Sequence, residues 1–165
     1  MRKRLLPLLI FFLILLGSAR VRGAYDPLLG SWRLNLETPL TIFSPGYRAP
    51  KSQTGTFEAV GADEIRFRGE TVEADGTVIR AEYTARLDGK DYPVTGDPNR
   101  DTVSLRRTKP FITEGTSKKA GQATNTFSIV IWGGGLLLTE TSTTTRDGKT
   151  YENVAVYNKV LEEVR

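Results

Sequence analysis

The chemistry open to this chain is set by carboxylates, hydroxyls and basic side chains, because its 165 residues include no Cys and no His. That excludes disulfides, thiolate and imidazole metal sites, Ser-His-Asp and Cys-His nucleophiles, and imidazole acid–base steps. Carboxylates can still work as an acid–base pair where a site raises one pKa. Asp63-Glu64 and Glu162-Glu163 are adjacent pairs at a turn and at the C-terminus, where solvation keeps them ordinary. Glu140, between Leu138 and Ser142 in a strand-like stretch, is the carboxylate of most interest, and an outward or rim position is expected for it. Asp97, Asn99 and Asp101 alternate like oxygen ligands for a hard cation, but the remaining ligands are missing and Pro98 suits a plain turn. Gly133-Gly134-Gly135 lacks the Lys-Ser/Thr completion and following helix of a phosphate loop. No catalytic residue, metal site or cofactor is expected, and binding is favoured over enzymatic chemistry.

The elements that carry these residues read as β-strands. Short alternating stretches are punctuated by Gly, Asp and Asn, with no repeat and no long apolar run after residue 24. Strands are expected over 31–36, 53–60, 64–73, 77–88, 90–94, 102–107, 112–117, 124–132, 136–145 and 151–160. Asp75-Gly76, Asp88-Gly89 and Asp147-Gly148 are placed for tight hairpin turns, and the three glycines at 133–135 for another reversal. Ile79, Ala81, Tyr83, Ala85 and Leu87 share one face, opposite Arg80, Glu82, Thr84 and Arg86. Such half-polar strands suit an antiparallel sheet with one solvated face. Phe127, Ile129 and Ile131 oppose Ser128, Val130 and Trp132, whereas both faces of 154–157 are apolar and leave the inward set undecided. Gly69 is expected to mark a bulge, because the phase of Ile65 and Phe67 is lost at Val72. The Thr-rich run from Thr139 to Thr145 is read either as an interior wall with Leu136 and Leu138 or as an exposed strand. Residues 37–51, with three prolines, form a long loop whose Ile42, Phe43 and Tyr47 can pack back onto the sheet. Closing the strands into an up-and-down barrel removes the exposed edges; a two-sheet sandwich is the competing solution.

The N-terminus has a different character. Arg2, Lys3 and Arg4 precede an apolar run over 5–16 and then Gly17, Ser18 and Ala19, the pattern of a secretory signal. As a helix the run reaches about 18 Å, short of the roughly 30 Å of bilayer hydrocarbon. Cleavage is expected after Ala19 or Gly23, giving residues 1–23 as signal and 24–165 as a single domain in the periplasm or outside the cell; an uncleaved anchor is the alternative. The full chain carries 23 basic and 19 acidic side chains. Removing 1–23 leaves eighteen basic and nineteen acidic ones, so the formal charge of +4 becomes −1. The basic pI near 9.4 thus belongs to the signal and is no nucleic-acid footprint. Mid-strand charges such as Arg80, Glu82 and Arg86 also argue against strands that span a membrane, at about 2–4 kcal/mol for each one facing lipid near the midplane.

Gly30-Ser31-Trp32-Arg33-Leu34 resembles the Gly-x-Trp opening of lipocalins and of intracellular fatty-acid-binding proteins. Val154-Ala155-Val156-Tyr157-Asn158-Lys159-Val160 is similar to the closing strand of the latter. Lys51-Ser52-Gln53, Asp91-Tyr92-Pro93-Val94-Thr95-Gly96 and Asp101-Thr102-Val103-Ser104-Leu105 look like motifs of small exported bacterial lipocalin-like proteins. The resemblance implies an all-β, antiparallel, lipocalin-like up-and-down barrel of 8–10 strands, with Trp32 tying its ends under the cationic stem of Lys159. It departs where the family holds a carboxylate with an Arg and a Tyr: Tyr157 matches the Tyr, but the Arg position falls on Ala155. The family's helical lid is replaced by the proline-containing loop. The expected function is to hold an apolar or amphipathic, lipid-like ligand among Phe67, Tyr83, Phe127, Ile129, Trp132 and Tyr157. The alternative is a packed module that recognises an envelope protein or polysaccharide through Phe43, Tyr47 and Arg48.

Overall fold

The computed structural model describes residues 26–61 and 63–161, so the expected signal and both of its cleavage positions lie outside the described residues. Ten strands follow one another: β1 (Gly30–Leu34), β2 (Ser52–Ala59), β3 (Glu64–Val72), β4 (Val78–Arg86), β5 (Asp88–Thr95), β6 (Thr102–Lys109), β7 (Ile112–Lys119), β8 (Gln122–Trp132), β9 (Leu137–Arg146) and β10 (Lys149–Val160). Each pairs antiparallel with the next, and β1 also pairs with β10, so the sheet closes into a barrel and not a two-sheet sandwich. The hairpin dipeptides sit where their backbones are needed: Gly76, Gly89, Asp147 and Gly148 all have positive φ.

Alternation sorts the side chains as their spacing predicts. Ala81, Tyr83 and Ala85 are buried in the core while Arg80, Glu82 and Arg86 face solvent. On the outer wall of β2–β4, Arg68 bridges Glu58 and Glu82, Arg66 also reaches Glu82, and Arg80 pairs with Glu70. A wall with this ladder of ions is built for water and not for lipid. The undecided face of β10 is resolved by register: Ala155 and Tyr157 stand opposite Glu140 and Leu138 and point inward with Asn153.

Gly69 makes no bulge. Its pairings with Gly55 on β2 and Ala81 on β4 continue the ladder without a shift. The inner face instead loses a side chain to make room for an aromatic one. A methyl group on Gly69 would stand 2.6 Å from the Phe67 ring, and one on Gly55 would stand 2.7 Å from it. Phe127 lies over Gly115 in the same manner. The wall is thinned where its largest rings lie flat.

One end of the barrel is solid. Leu28, Trp32 and Leu105 are all buried there, and the Trp32 Nε1–H donates to the Leu28 carbonyl at 2.9 Å. Lys159 Nζ lies 4.9 Å from the centre of the Trp32 ring, the arrangement that the terminal motifs imply. Arg107 is paired with Asp26 beside this plug.

The other end is built differently. β1 pairs only with Tyr157 to Val160 of β10, leaving the first half of that strand without a strand partner on this side. Loop 35–51 fills the gap. Asn35 donates to the Val156 carbonyl at 2.8 Å, and Ile42 and Val154 exchange two backbone bonds of 2.7 and 2.8 Å. Ser44 adds bonds to the Asn153 side chain and to the Glu152 backbone. Backbone pairing, and not the Ile42 side chain, anchors the loop, since Ile42 is 59% exposed.

Candidate functional site

The half of the barrel opposite the Trp32 plug is hollow, with a cavity of about 450 Å³ that opens between loop 35–51 and the turns at 97–100 and 145–147. That volume lies in the range of small-molecule sites. Its apolar wall is an aromatic ladder. Phe57, Phe67 and Tyr83 occupy paired positions on β2, β3 and β4, with 4.9 Å between successive ring centres. Phe127 and Ile129 of β8 also line the space.

A polar wall faces it. Glu140, Ser142 and Thr144 project inward from β9, beside Asn125 of β8 and Asn153 and Tyr157 of β10. The Tyr157 hydroxyl donates to Gln53 Oε1 at 2.9 Å, and Thr144 donates to Asn125 Oδ1 at 3.1 Å. Among the described residues no side chain hydrogen-bonds or pairs with Glu140, so its carboxyl meets only the cavity. Burial pushes that carboxyl above its ordinary value of 4.5, and the charge of Arg100 offsets part of the rise. Burial likewise raises the Tyr83 and Tyr157 phenols, which remain neutral hydroxyls.

The mouth is held by paired groups. Phe43 stacks on Tyr47 at 5.5 Å, Tyr47 meets the edge of Tyr151 at 5.4 Å, and Arg146 lies over the Tyr47 ring. Across the opening, Arg100 pairs with Asp97 at 2.8 Å and donates to Ser117 Oγ at 3.2 Å.

Five of the six residues expected around a ligand line this cavity: Phe67, Tyr83, Phe127, Ile129 and Tyr157. Trp132 does not. With Ile129 and Ile131 turned inward, strand geometry sends Trp132 outward at the plugged end, where it is 42% exposed and donates to Thr139 Oγ1. Leu136 is likewise exposed at the β8–β9 turn while Leu138 is buried. Phe43 and Tyr47 are half-buried and line the cavity mouth, and Arg48 of the same loop is exposed. The Asp97–Asp101 turn spends its oxygens on protein: Asp97 on Arg100 and the Asn99 amide, Asp101 on the Ala120 amide. No group of three or more metal-ligating acidic side chains occurs among the described residues.

Glu140 is the main correction. It shares the phase of Leu138 and Ser142 and points inward, against the outward position expected of a charged strand residue. The phase carried the signal, and the general preference of carboxylates for water opposed it. Arg100, Gln53 and Phe57 also line the cavity; Phe57 and Gln53 share one strand phase, whereas Arg100 lies in a turn with no such signal.

The buried carboxyl has a consequence for stability. Because its folded pKa lies above the ordinary 4.5, the folded chain holds a proton that the unfolded chain releases in the interval between the two values. The associated stability is full below about pH 4.5 and is lost as pH rises through the folded value. Urea midpoints measured across this range should fall with rising pH in the native protein. The fall should be shallower in Glu140→Gln; parallel profiles would place the carboxyl in ordinary solvent.

The fold and cavity together define a closed, ten-stranded antiparallel β-barrel of lipocalin-like topology with room inside for a small apolar or amphipathic molecule. Among solved structures, Rv2717c from M. tuberculosis is 19% identical with a TM-score of 0.55, the match covering 84% of this chain and 96% of that one. A redesigned β-barrel is 9% identical with a TM-score of 0.50, over 82% of this chain and 93% of that one. At these identities the likeness is one of fold. No protein-family model and no curated protein matches the chain.

Proposed function

We propose that this protein is an exported, non-catalytic carrier or receptor that holds one small amphipathic molecule in the open half of its barrel. The observation that carries the reading is the 450 Å³ cavity, aromatic on one wall and polar on the other. An apolar body buried against Phe67, Tyr83, Phe127 and Ile129 gains about 25 cal/mol for each Å² removed from water. Tyr157 and the polar wall orient its head group, as a few placed polar groups do in small-molecule sites. Loop 35–51 covers the opening and supplies Phe43 and Tyr47. The basic, apolar and small-residue order of the N-terminus supports delivery to the periplasm or beyond. The internal motifs Lys51-Ser52-Gln53, Asp91-Tyr92-Pro93-Val94-Thr95-Gly96 and Asp101-Thr102-Val103-Ser104-Leu105 support kinship with small exported bacterial lipocalin-like proteins.

Native mass spectrometry of protein purified without detergent tests this reading. The expected spectrum carries an adduct of lipid size, or acquires one on addition of decanol. A Tyr83→Trp variant that keeps its far-ultraviolet circular dichroism should lose the adduct, because the indole fills the space over Phe67. A protein that neither carries an adduct nor takes up decanol is not a carrier of this kind.

A further inference from the structure

The cavity contains one fully buried carboxyl that the carrier reading leaves without a role. Glu140 projects from the middle of β9 into the hollow, level with Ile129 on one neighbouring strand and Ala155 on the other. Neither neighbour can bond to it. The groups coupled to it are Tyr83 of β4, Tyr157 of β10, Tyr47 of the mouth loop and Arg100 of the β5–β6 turn, and Glu73, Lys119, Arg146 and Asp147 also line the cavity. The three phenols are neutral, and the Tyr157 hydroxyl is committed to Gln53. Arg100 is committed to Asp97 and Ser117. The cation whose charge reaches Glu140 is therefore already paired, while Glu140 is not.

A buried carboxylate without a counter-ion is a costly feature to maintain. A ligand that brings a positive charge and N–H donors removes the cost on binding. A fatty acid would place a second anion beside the first, and the Arg that would neutralise it on β10 is absent, since that position is Ala155. On the carrier reading above, we propose that the ligand is an organic amine with an apolar body, and that Glu140 is the counter-ion of its ammonium group. The aromatic ladder takes the body, and the neutral phenols of Tyr83 and Tyr157 accept from the remaining ammonium protons. The apolar tail lies along Phe67 and Phe127, and the charge sits at the level of β9. Proton and ammonium then compete for one carboxylate.

Isothermal titration of the folded protein with decylamine, decanol and decanoate, each below its aggregation threshold, separates the possibilities. Near neutral pH, decylamine should bind at least about tenfold more tightly than decanoate. Glu140→Gln should weaken decylamine by about tenfold or more while leaving decanol within about twofold. Lowering the pH below the raised Glu140 pKa should weaken decylamine by about tenfold per pH unit in the native protein, and not in Glu140→Gln. Decanoate binding as well as decylamine, or a Glu140→Gln variant with unchanged amine affinity, overturns the assignment but leaves the carrier reading intact. Failure of all three probes to bind removes the carrier reading and the amine assignment with it.

Discussion

Trp32→Ala is expected to lower the unfolding free energy by about 3–5 kcal/mol, read as a shift in urea midpoint at unchanged slope. The indole is only 1% exposed and fills the plug with Leu28 and Leu105. Removing it opens a cavity and also strips the Leu28 carbonyl of its 2.9 Å donor. The site cannot collapse easily, because Trp32 lies on the short β1 strand, paired with Lys159 on one side and Gly55 on the other. Gly30 assists this closure: a Cβ there would stand 2.9 Å from Lys159 Cε, so its absence lets the lysine stem lie across the indole. Two milder variants divide the effect. Trp32→Phe keeps a ring without a donor and should cost less than the alanine variant. Lys159→Met keeps the apolar stem without the charge and should cost about 0.5–1 kcal/mol. A Trp32→Ala loss below about 1 kcal/mol would mean that the plug does not hold the ends of the barrel together.

Gly96→Ala is the second large effect, at about 3 kcal/mol of stability. Gly96 has a φ of 75°, and a Cβ on it would stand 1.9 Å from the Arg80 carbonyl oxygen. No rotamer relieves a clash with backbone, so the chain must pull away from β4. The β4–β5 seam has little to resist with, since its ladder register comprises only Glu82 with Thr95 and Tyr83 with Val94. Tyr83 is a cavity wall, and the turn that Gly96 launches carries Asp97 and Arg100 to the mouth. The variant should therefore lose ligand affinity along with stability, measured by decanol titration under conditions where it remains folded. Gly61→Ala supplies the control. Its added Cβ meets nothing nearer than 3.6 Å, and the change should be close to neutral. Equal midpoints for the two alanine variants would contradict the assigned closeness of β4 and β5.

Most strands were legible because they follow one local rule, apolar side chains at alternate positions with Gly or Asp where the chain reverses, while β7 and β9 turn mainly polar side chains inward. Closure was legible from the two ends, where Trp32 and Lys159 stand in compatible order. What alternation reports is burial, and burial does not distinguish a filled core from a lined hollow. Ile65 and Phe67 share one phase, yet Ile65 is core and Phe67 faces the cavity. Gly69 illustrates a second limit. A missing side chain looks like broken phase in one strand, and only the neighbouring Phe67 ring explains it. Trp132 illustrates a third: its size suggested an interior place, while its parity with Val130 already sent it outward. Glu140 reverses that error, because parity put it inside and charge argued it out. The mouth was beyond reach of periodicity altogether, since Tyr47 and Arg100 come from loops that meet only after the barrel closes.

The most direct test of the hollow interior is a crystal structure of the protein soaked with decanol, a probe without charge. The predicted result is density for one alkyl chain between Phe67, Tyr83, Phe127 and Ile129, with its hydroxyl toward the polar wall at Tyr157 and Ser142. Side chains from opposite walls meeting across the barrel, with decanol absent or confined to the outer surface, would contradict it.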